Sequence, residues 1–293
     1  MPATAYQNIS TTDNYNYYMN IMSTRFKMRL FIPFILALTI LGSCSGTKKE
    51  DANYLRVGVA AGPELALAEA AKKVAKEKYG LEVELVSFND YVVPNEALNQ
   101  GEIDVNAFQH LPYLQEQSKQ RGYKLAVVGK TFLYPIAAYS KKIKSLAQLK
   151  PGSTIAIPND PTNGGRSLLL LQKNGLITLK QNIGLLPKVI DITGNPKNFK
   201  IVELEAPQLP RVLEDAEVTI AIINNNFSAQ AGLLPSRDAL FIEDTDSPYV
   251  NLIVSRKDNK TQKKVLDFVK AYQSAEVEKA AKDQFKEGAI KGW

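Results

Sequence analysis

The residues best suited to chemistry fall in four short stretches. Asn159-Asp160-Pro161-Thr162-Asn163-Gly164-Gly165-Arg166-Ser167 follows a strand-like run and leads into a helix-like one. Paired glycines let backbone N–H groups approach a ligand, helix N-termini favour anions, and the Arg166 fork can hold a carboxylate through two bonds. A plain strand-to-helix turn with a surface arginine fits the same letters. No Gly-Lys-Ser/Thr follows, so this is not a nucleotide P-loop. Asn106-Ala107-Phe108-Gln109-His110-Leu111-Pro112-Tyr113 sits where a strand ends and a helix begins, the edge at which open α/β sheets bind ligands. Phe108 and Tyr113 can wall an apolar group and His110 can hydrogen-bond; core aromatics and a satisfied histidine are the competing reading. Asn224-Asn225-Asn226 and Ser247-Pro248-Tyr249-Val250-Asn251 add amides that donate and accept. Such groups suit an ammonium and a carboxylate on one ligand, while asparagine also favours turns.

Other chemistries find little support. The chain has one cysteine, Cys44, and one histidine, His110. An internal disulfide is impossible, and a Cys/His zinc site needs more ligands. No run resembles a calcium loop. There is no Gly-x-Ser-x-Gly elbow, and the histidine lacks a free cysteine partner. The expectation is a protein that is not an enzyme. The formal charge is +6. Residues 1–43 hold Arg25, Lys27 and Arg29 against Asp13, a net of +2, which leaves +4 for the rest. That excess is spread along the chain without a dense basic tract, so nucleic acid is not an expected partner.

The candidate residues need a frame. Leu55–Val59 reads as a strand, Pro63–Tyr79 as a helix stopped at Gly80, and Leu81–Val86 as a second strand. Pro94–Asn99 (helix), Ile103–Ala107 (strand) and Pro112–Arg121 (helix) continue the alternation, which argues for a mainly parallel sheet covered by helices. A second series holds strands at Thr154–Ile157, Lys200–Leu204 and Val218–Ile223, with a helix at Ser167–Lys173. Tyr134–Tyr139 and Val250–Ser255 are similar apolar runs followed by Lys or Arg. They predict two hinge strands joining two α/β lobes, with a ligand cleft between. Lys260–Lys286 reads as two helices broken near Ser274. The expected layout is lobe 1 from 52–138 plus 250–293, and lobe 2 from 139–249.

The beginning of the chain has another purpose. Arg25, Lys27 and Arg29 precede an apolar run, Leu30–Leu41, of about 12 residues, against roughly 20 for a spanning helix. Leu41-Gly42-Ser43-Cys44 completes the pattern of a secretory signal, with small residues before the cut. The four residues resemble a bacterial lipobox, in which the cysteine is lipidated and becomes the first mature residue. Residues 1–43 are thus expected to be a signal segment, and 44–51 the lipidated cysteine and a polar tether. Residues 1–21 lack apolar periodicity, and the expected true start is Met22 or Met28.

Taken together, these segments resemble the methionine-binding lipoproteins, the MetQ/NlpA family of type II periplasmic binding proteins. The likeness rests on Asn106–His110 with Pro112-Tyr113-Leu114, on Pro158–Asn163, and on Gly165–Leu171. It rests also on Glu203–Arg211, Ser247–Leu252 and the ending Lys291-Gly292-Trp293. It runs from about Leu55 to Trp293. The resemblance implies methionine, L- and/or D-, bound between the lobes. Tyr91, Phe108 and Tyr113 would wall the thioether, His110 would be a polar pocket residue, and Arg166 would clamp the carboxylate. Asn224 and Asn251 would meet the amino and carboxylate groups. It also implies an ABC permease with its ATPase as partners, ATP bound by that ATPase and no cofactor for this chain, and a monomer lipid-anchored in the cell envelope of a bacterium. Another small apolar amino acid or peptide as ligand, or a surface role in adhesion, remains the alternative.

Overall fold

The computed structural model describes residues 51–286 and 288–293. The expected signal segment, Cys44 and the tether as far as residue 50 lie outside the described residues. Among the described residues, no helix is long and apolar enough to cross a membrane.

The first part of the chain alternates strand and helix. It runs β1 (Tyr54–Ala60), α1 (Pro63–Tyr79), β2 (Glu82–Phe88), α2 (Val93–Gln100), β3 (Val105–His110), α3 (Leu111–Arg121) and β4 (Leu125–Leu133). Pro63 occupies the first turn of α1, where its missing N–H costs nothing. Leu67, Ala68, Ala71, Val74 and Ala75 recur at helical spacing and bury one face. Gly80, at φ +63°, then turns the chain out of the helix in the left-handed conformation. The middle of the chain contributes β5 (Ala137–Tyr139), β6 (Thr154–Pro158), α4 (Pro161–Lys173), a small hairpin of β7 (Thr178–Leu179) and β8 (Ile192–Gly194), and β9 (Lys200–Leu204). Then come β10 (Val218–Ile223), α5 (Asn225–Gln230), α6 (Pro235–Asp238) and β11 (Ala239–Ile242). The last part is β12 (Val250–Arg256), α7 (Lys263–Tyr272), α8 (Ala275–Phe285) and β13 (Ile290–Lys291).

These strands form two large sheets. One has six strands in the order β13-β4-β12-β3-β1-β2, the other five in the order β11-β5-β10-β6-β9. In the first, β1 runs parallel to β2 and β3, and β12 inserts antiparallel between β3 and β4. In the second, β6 runs parallel to β9 and β10. The chain changes sheet in the first half of the Tyr134–Tyr139 run expected as one hinge strand, and just before the Val250–Ser255 run expected as the other. β5 pairs only inside the second sheet, and β12 only inside the first. The crossings are therefore residues 134–136 and 243–249, the first lying just ahead of the boundary expected at 138. Each holds a proline, Pro135 or Pro248, which has no N–H to give to a ladder. The strand β4 had no counterpart in the sequence reading.

α7 and α8 pack beside α1 on the first sheet. Phe268 and Val265 are fully buried there with Leu67, Ala71 and Val277, and the Phe268 ring meets Tyr272 edge-on at 5.9 Å. The end of the chain thus completes the core begun by its start. Phe268→Ala should cost about 3–5 kcal/mol in urea unfolding, as for other buried phenylalanines. A loss below about 1 kcal/mol would show that this helix pair does not hold the first sheet together.

Candidate functional site

Asp160 sets up the first element of the site. Its Oδ1 accepts hydrogen bonds from the backbone N–H of Thr162 (3.2 Å) and of Asn163 (2.9 Å), capping α4. With Pro161 in the first turn, the helix starts six residues earlier than the expected Ser167. Gly164 and Gly165 therefore lie inside α4 and are not an open N–H cradle. Their role is close packing: a Cβ on Gly164 would stand 2.8 Å from the Pro158 carbonyl oxygen, and one on Gly165 2.9 Å from that of Leu185. Anion binding at the helix N-terminus is corrected accordingly, since the cap occupies those N–H groups. Arg166, one helical turn into α4, is carried inward and is 3% exposed.

Tyr91, Phe108, His110, Tyr113, Arg166, Asn224 and Asn251 all line one cavity between the carboxyl ends of the two sheets. Tyr91 comes from the β2–α2 loop, Phe108 and His110 from the end of β3, and Tyr113 from the first turn of α3. The rings of Tyr91, Phe108 and Tyr113 lie 5.9–6.3 Å apart in tilted and edge-on pairs. Tyr113 fixes the group by donating its hydroxyl to the Tyr91 carbonyl at 2.7 Å. Asn251 lies opposite His110 in the β12–β3 ladder, and its Nδ2 donates to the Phe108 carbonyl at 3.0 Å.

The polar side of the cavity is wired across the two sheets. Asn163 donates from Nδ2 to Asp160 Oδ2 at 2.9 Å, which fixes its oxygen toward the cleft. That oxygen accepts from Asn224 Nδ2 at 2.9 Å and lies 3.3 Å from His110 Nε2. His110 Nδ1 accepts the Tyr113 backbone N–H at 3.2 Å, so the ring proton sits on Nε2 and points at Asn163. Burial, followed by the nearby Arg166 cation, lowers the His110 pKa to about 3. Further contacts bridge the sheets: Tyr91 stacks on Phe227 at 4.9 Å, and Asn225 Nδ2 donates to the Gly288 carbonyl at 2.8 Å. Asn224 Oδ1 and both amide atoms of Asn226 are buried without a partner among the described residues. Unpartnered buried amides lining a cavity have donors and acceptors that a bound molecule can satisfy.

Arg166 has a neighbour the sequence reading missed. Its Nε donates to Glu243 Oε1 at 2.8 Å, and Nη2 donates to Glu243 Oε2 and, at 3.1 Å, to the Tyr134 carbonyl. The guanidinium also lies 4.3 Å from the Tyr249 ring centroid. The expected fork-to-fork grip on a ligand carboxylate is thus not open on that edge, and Nη1 is the donor left for the cavity. Glu243 lies 77 positions away in an acidic, turn-like stretch, and nothing in the local pattern links the two. Glu64, in the first turn of α1, also lines the cavity and was missed, because an acid after proline reads simply as a helix start. No cluster of three or more His, Cys, Asp or Glu able to hold a metal occurs among the described residues.

Two α/β sheets with their carboxyl ends on a shared polar and aromatic cavity define a two-lobed solute-binding protein. The family model described as NlpA lipoprotein matches residues 55–293, and the chain belongs to that family. It is 61% identical over 272 residues to the "D-methionine-binding lipoprotein MetQ" of Salmonella typhimurium, covering 93% of this chain and 100% of the relative. A periplasmic substrate-binding protein of an ABC transporter from Coxiella burnetii is similar in structure, with a TM-score of 0.79 and 51% identity over 81% of this chain and 100% of that one. A nutrient-binding protein from Burkholderia cenocepacia bound to methionine gives a TM-score of 0.79 and 50% identity over 82% of this chain and 100% of that one.

With a single histidine in the chain, the imidazole is simple to follow. Its ring signals in a proton–nitrogen spectrum should stay in the neutral form from pH 8 down to pH 5. A midpoint near the ordinary value of about 6.5 would show that His110 is solvated and not held in the cleft.

Proposed function

We propose that this protein is the substrate-binding lipoprotein of an ABC importer, and that it takes methionine, L- and/or D-, into the cavity between its lobes. The observation that carries this reading is the pairing, in one cavity, of a three-ring aromatic wall with an arginine and with amides unpartnered among the described residues. A dipolar ion removed from water needs both its charges answered, or desolvation outweighs its contacts. In this reading Nη1 of Arg166 takes the carboxylate, with Asn224 and Asn251 shared between the carboxylate and the ammonium. Tyr91, Phe108 and Tyr113 enclose the side chain, where a thioether gains sulfur–aromatic contact. His110 stays neutral and sets the position of Asn163. The relatives, among them a D-methionine-binding lipoprotein, a nutrient-binding protein bound to methionine and a substrate-binding protein of an ABC transporter, support the same ligand and setting.

The lobes, built on the two sheets, shut around the ligand because it has more affinity for the closed arrangement. The closed monomer then delivers its ligand to a permease, whose ATPase supplies the energy. The binding protein itself performs no reaction and needs no cofactor. Lipid on Cys44 holds it at a bacterial membrane, facing the periplasm or the exterior, and residues 44–51 act as the tether.

Two measurements test this reading. Calorimetry should find methionine binding to the wild type, weakened by about 2–5 kcal/mol in Arg166→Ala, as when one partner of a buried charge pair is removed. Unchanged affinity would remove Arg166 from the ligand, and preference for another amino acid or a peptide would overturn methionine. Cys44→Ser should give a protein without lipid by mass spectrometry, recovered in the soluble fraction. Continued membrane attachment without lipid would point to a retained apolar anchor.

A further inference from the structure

Glu64 stands apart among the buried acids. Asp104, Asp267 and Glu64 are 6%, 5% and 3% exposed. Asp104 accepts the Arg56 backbone N–H at 2.8 Å and lies near two arginines, while Asp267 pairs with Lys263 and Lys270. The Glu64 carboxyl has no hydrogen bond or ion pair among the described residues, yet it lines the same cavity as Phe108, Arg166 and Asn226. We propose that Glu64 receives the ammonium group of the bound amino acid and loses a proton as it does so, coupling ligand uptake to proton release. This rests on the amino-acid reading of the cleft given above.

Among the described residues, the surroundings of Glu64 hold no cation of its own. Tyr91 from the β2–α2 loop, Tyr134 from the first crossing and Tyr272 from α7 face it, and burial raises the pKa of all three phenols, which keeps them neutral. His110 at the end of β3 is neutral, and Arg166 on α4 is matched by Glu243. From α5 the cavity meets only the amides of Asn225 and Asn226. The ion pair joining α1 to α8, Lys78–Glu276, is exposed at the far end of α1. Tyr91 and Tyr272 belong to the first lobe, as Glu64 does, so much of its enclosure does not depend on the second lobe.

A carboxylate without a partner in such a place holds its proton, and burial raises Glu64 to about 8. An ammonium arriving in contact favours the charged form. The neutral carboxyl and the ligand ammonium become a carboxylate–ammonium pair, and one H⁺ passes to solvent, so charge balances. Because binding releases a proton, affinity rises with pH below about 8 and levels off above it.

The test is calorimetry of the full mature protein with L-methionine at pH 6.5, in phosphate and in imidazole, whose ionisation heats differ. The expected result is a difference in heat equal to about one proton released per methionine, with Kd falling about tenfold from pH 6 to pH 7. In Glu64→Gln the proton release should vanish and the affinity should be flat over the same range. Equal heats in both buffers, or release retained in Glu64→Gln, overturn the proposal. The protonated state is also read without ligand. A buried acid held neutral stabilises the fold at low pH, and that contribution is lost as pH rises toward about 8. The urea midpoint of the wild type should therefore fall relative to Glu64→Gln between pH 5.5 and pH 8; a constant difference overturns the proposal whatever the ligand. Absence of any methionine binding, with that midpoint trend intact, would instead overturn only the methionine assignment.

Discussion

An arginine that is 3% exposed must have its charge answered, because an unmatched cation in that setting costs several kcal/mol. The answer to Arg166 comes from both places where the chain passes between sheets. Tyr134 lends a carbonyl from the first crossing; Glu243 and Tyr249 lend a carboxylate and a ring face from the second. The helix that carries Arg166 is thereby registered against both connections, and the guanidinium edge is held at a fixed point on the cavity wall. The aromatic residues have a well-defined polar group opposite them because of this constraint.

A second chain of dependence runs through neutral groups. Asp160 caps the start of α4 and orients Asn163; Asn163 turns its oxygen to Asn224 and His110; His110 in turn caps α3. Each link is a single hydrogen bond of modest net worth, but each removes a choice of rotamer or tautomer from the next group. Preset polar groups lose less freedom when a ligand arrives, which is how a small cavity reaches useful affinity. The buried trio Asn95, Asn106 and Gln109 does comparable work beneath the aromatic wall, with bonds of 2.6–3.0 Å among them.

Much of this was legible in the sequence because it is local. The ends of α1 and α3 follow from a proline in the first turn and a glycine after the last. The gathering of Phe108, His110 and Tyr113 follows from a strand running into a helix. What was not legible depends on distance or on context. Gly164 and Gly165 look like an open loop until Asp160 is seen to cap the helix ahead of them. Glu243 cannot be matched to Arg166 from a pattern that ends within a few residues. The strand β4, Leu125-Ala126-Val127-Val128-Gly129-Lys130-Thr131-Phe132-Leu133, mixes polar and apolar residues without strict alternation. It is a strand because β12 and β13 flank it, and both arrive much later in the chain.

That late arrival bears on how the molecule comes to exist. β12 lies between β3 and β4, near the middle of the six-stranded sheet, yet it is made only after the whole second sheet. A chain emerging from its amino end has β3 and β4 waiting with open edges while the middle segment is still being produced. The five-stranded sheet is continuous in sequence and can close on its own; the six-stranded one cannot. Non-local pairing of this kind slows folding and leaves edges open to wrong partners. Loss of the chain from β12 onward would therefore be felt in β3 and β4, strands synthesised long before it.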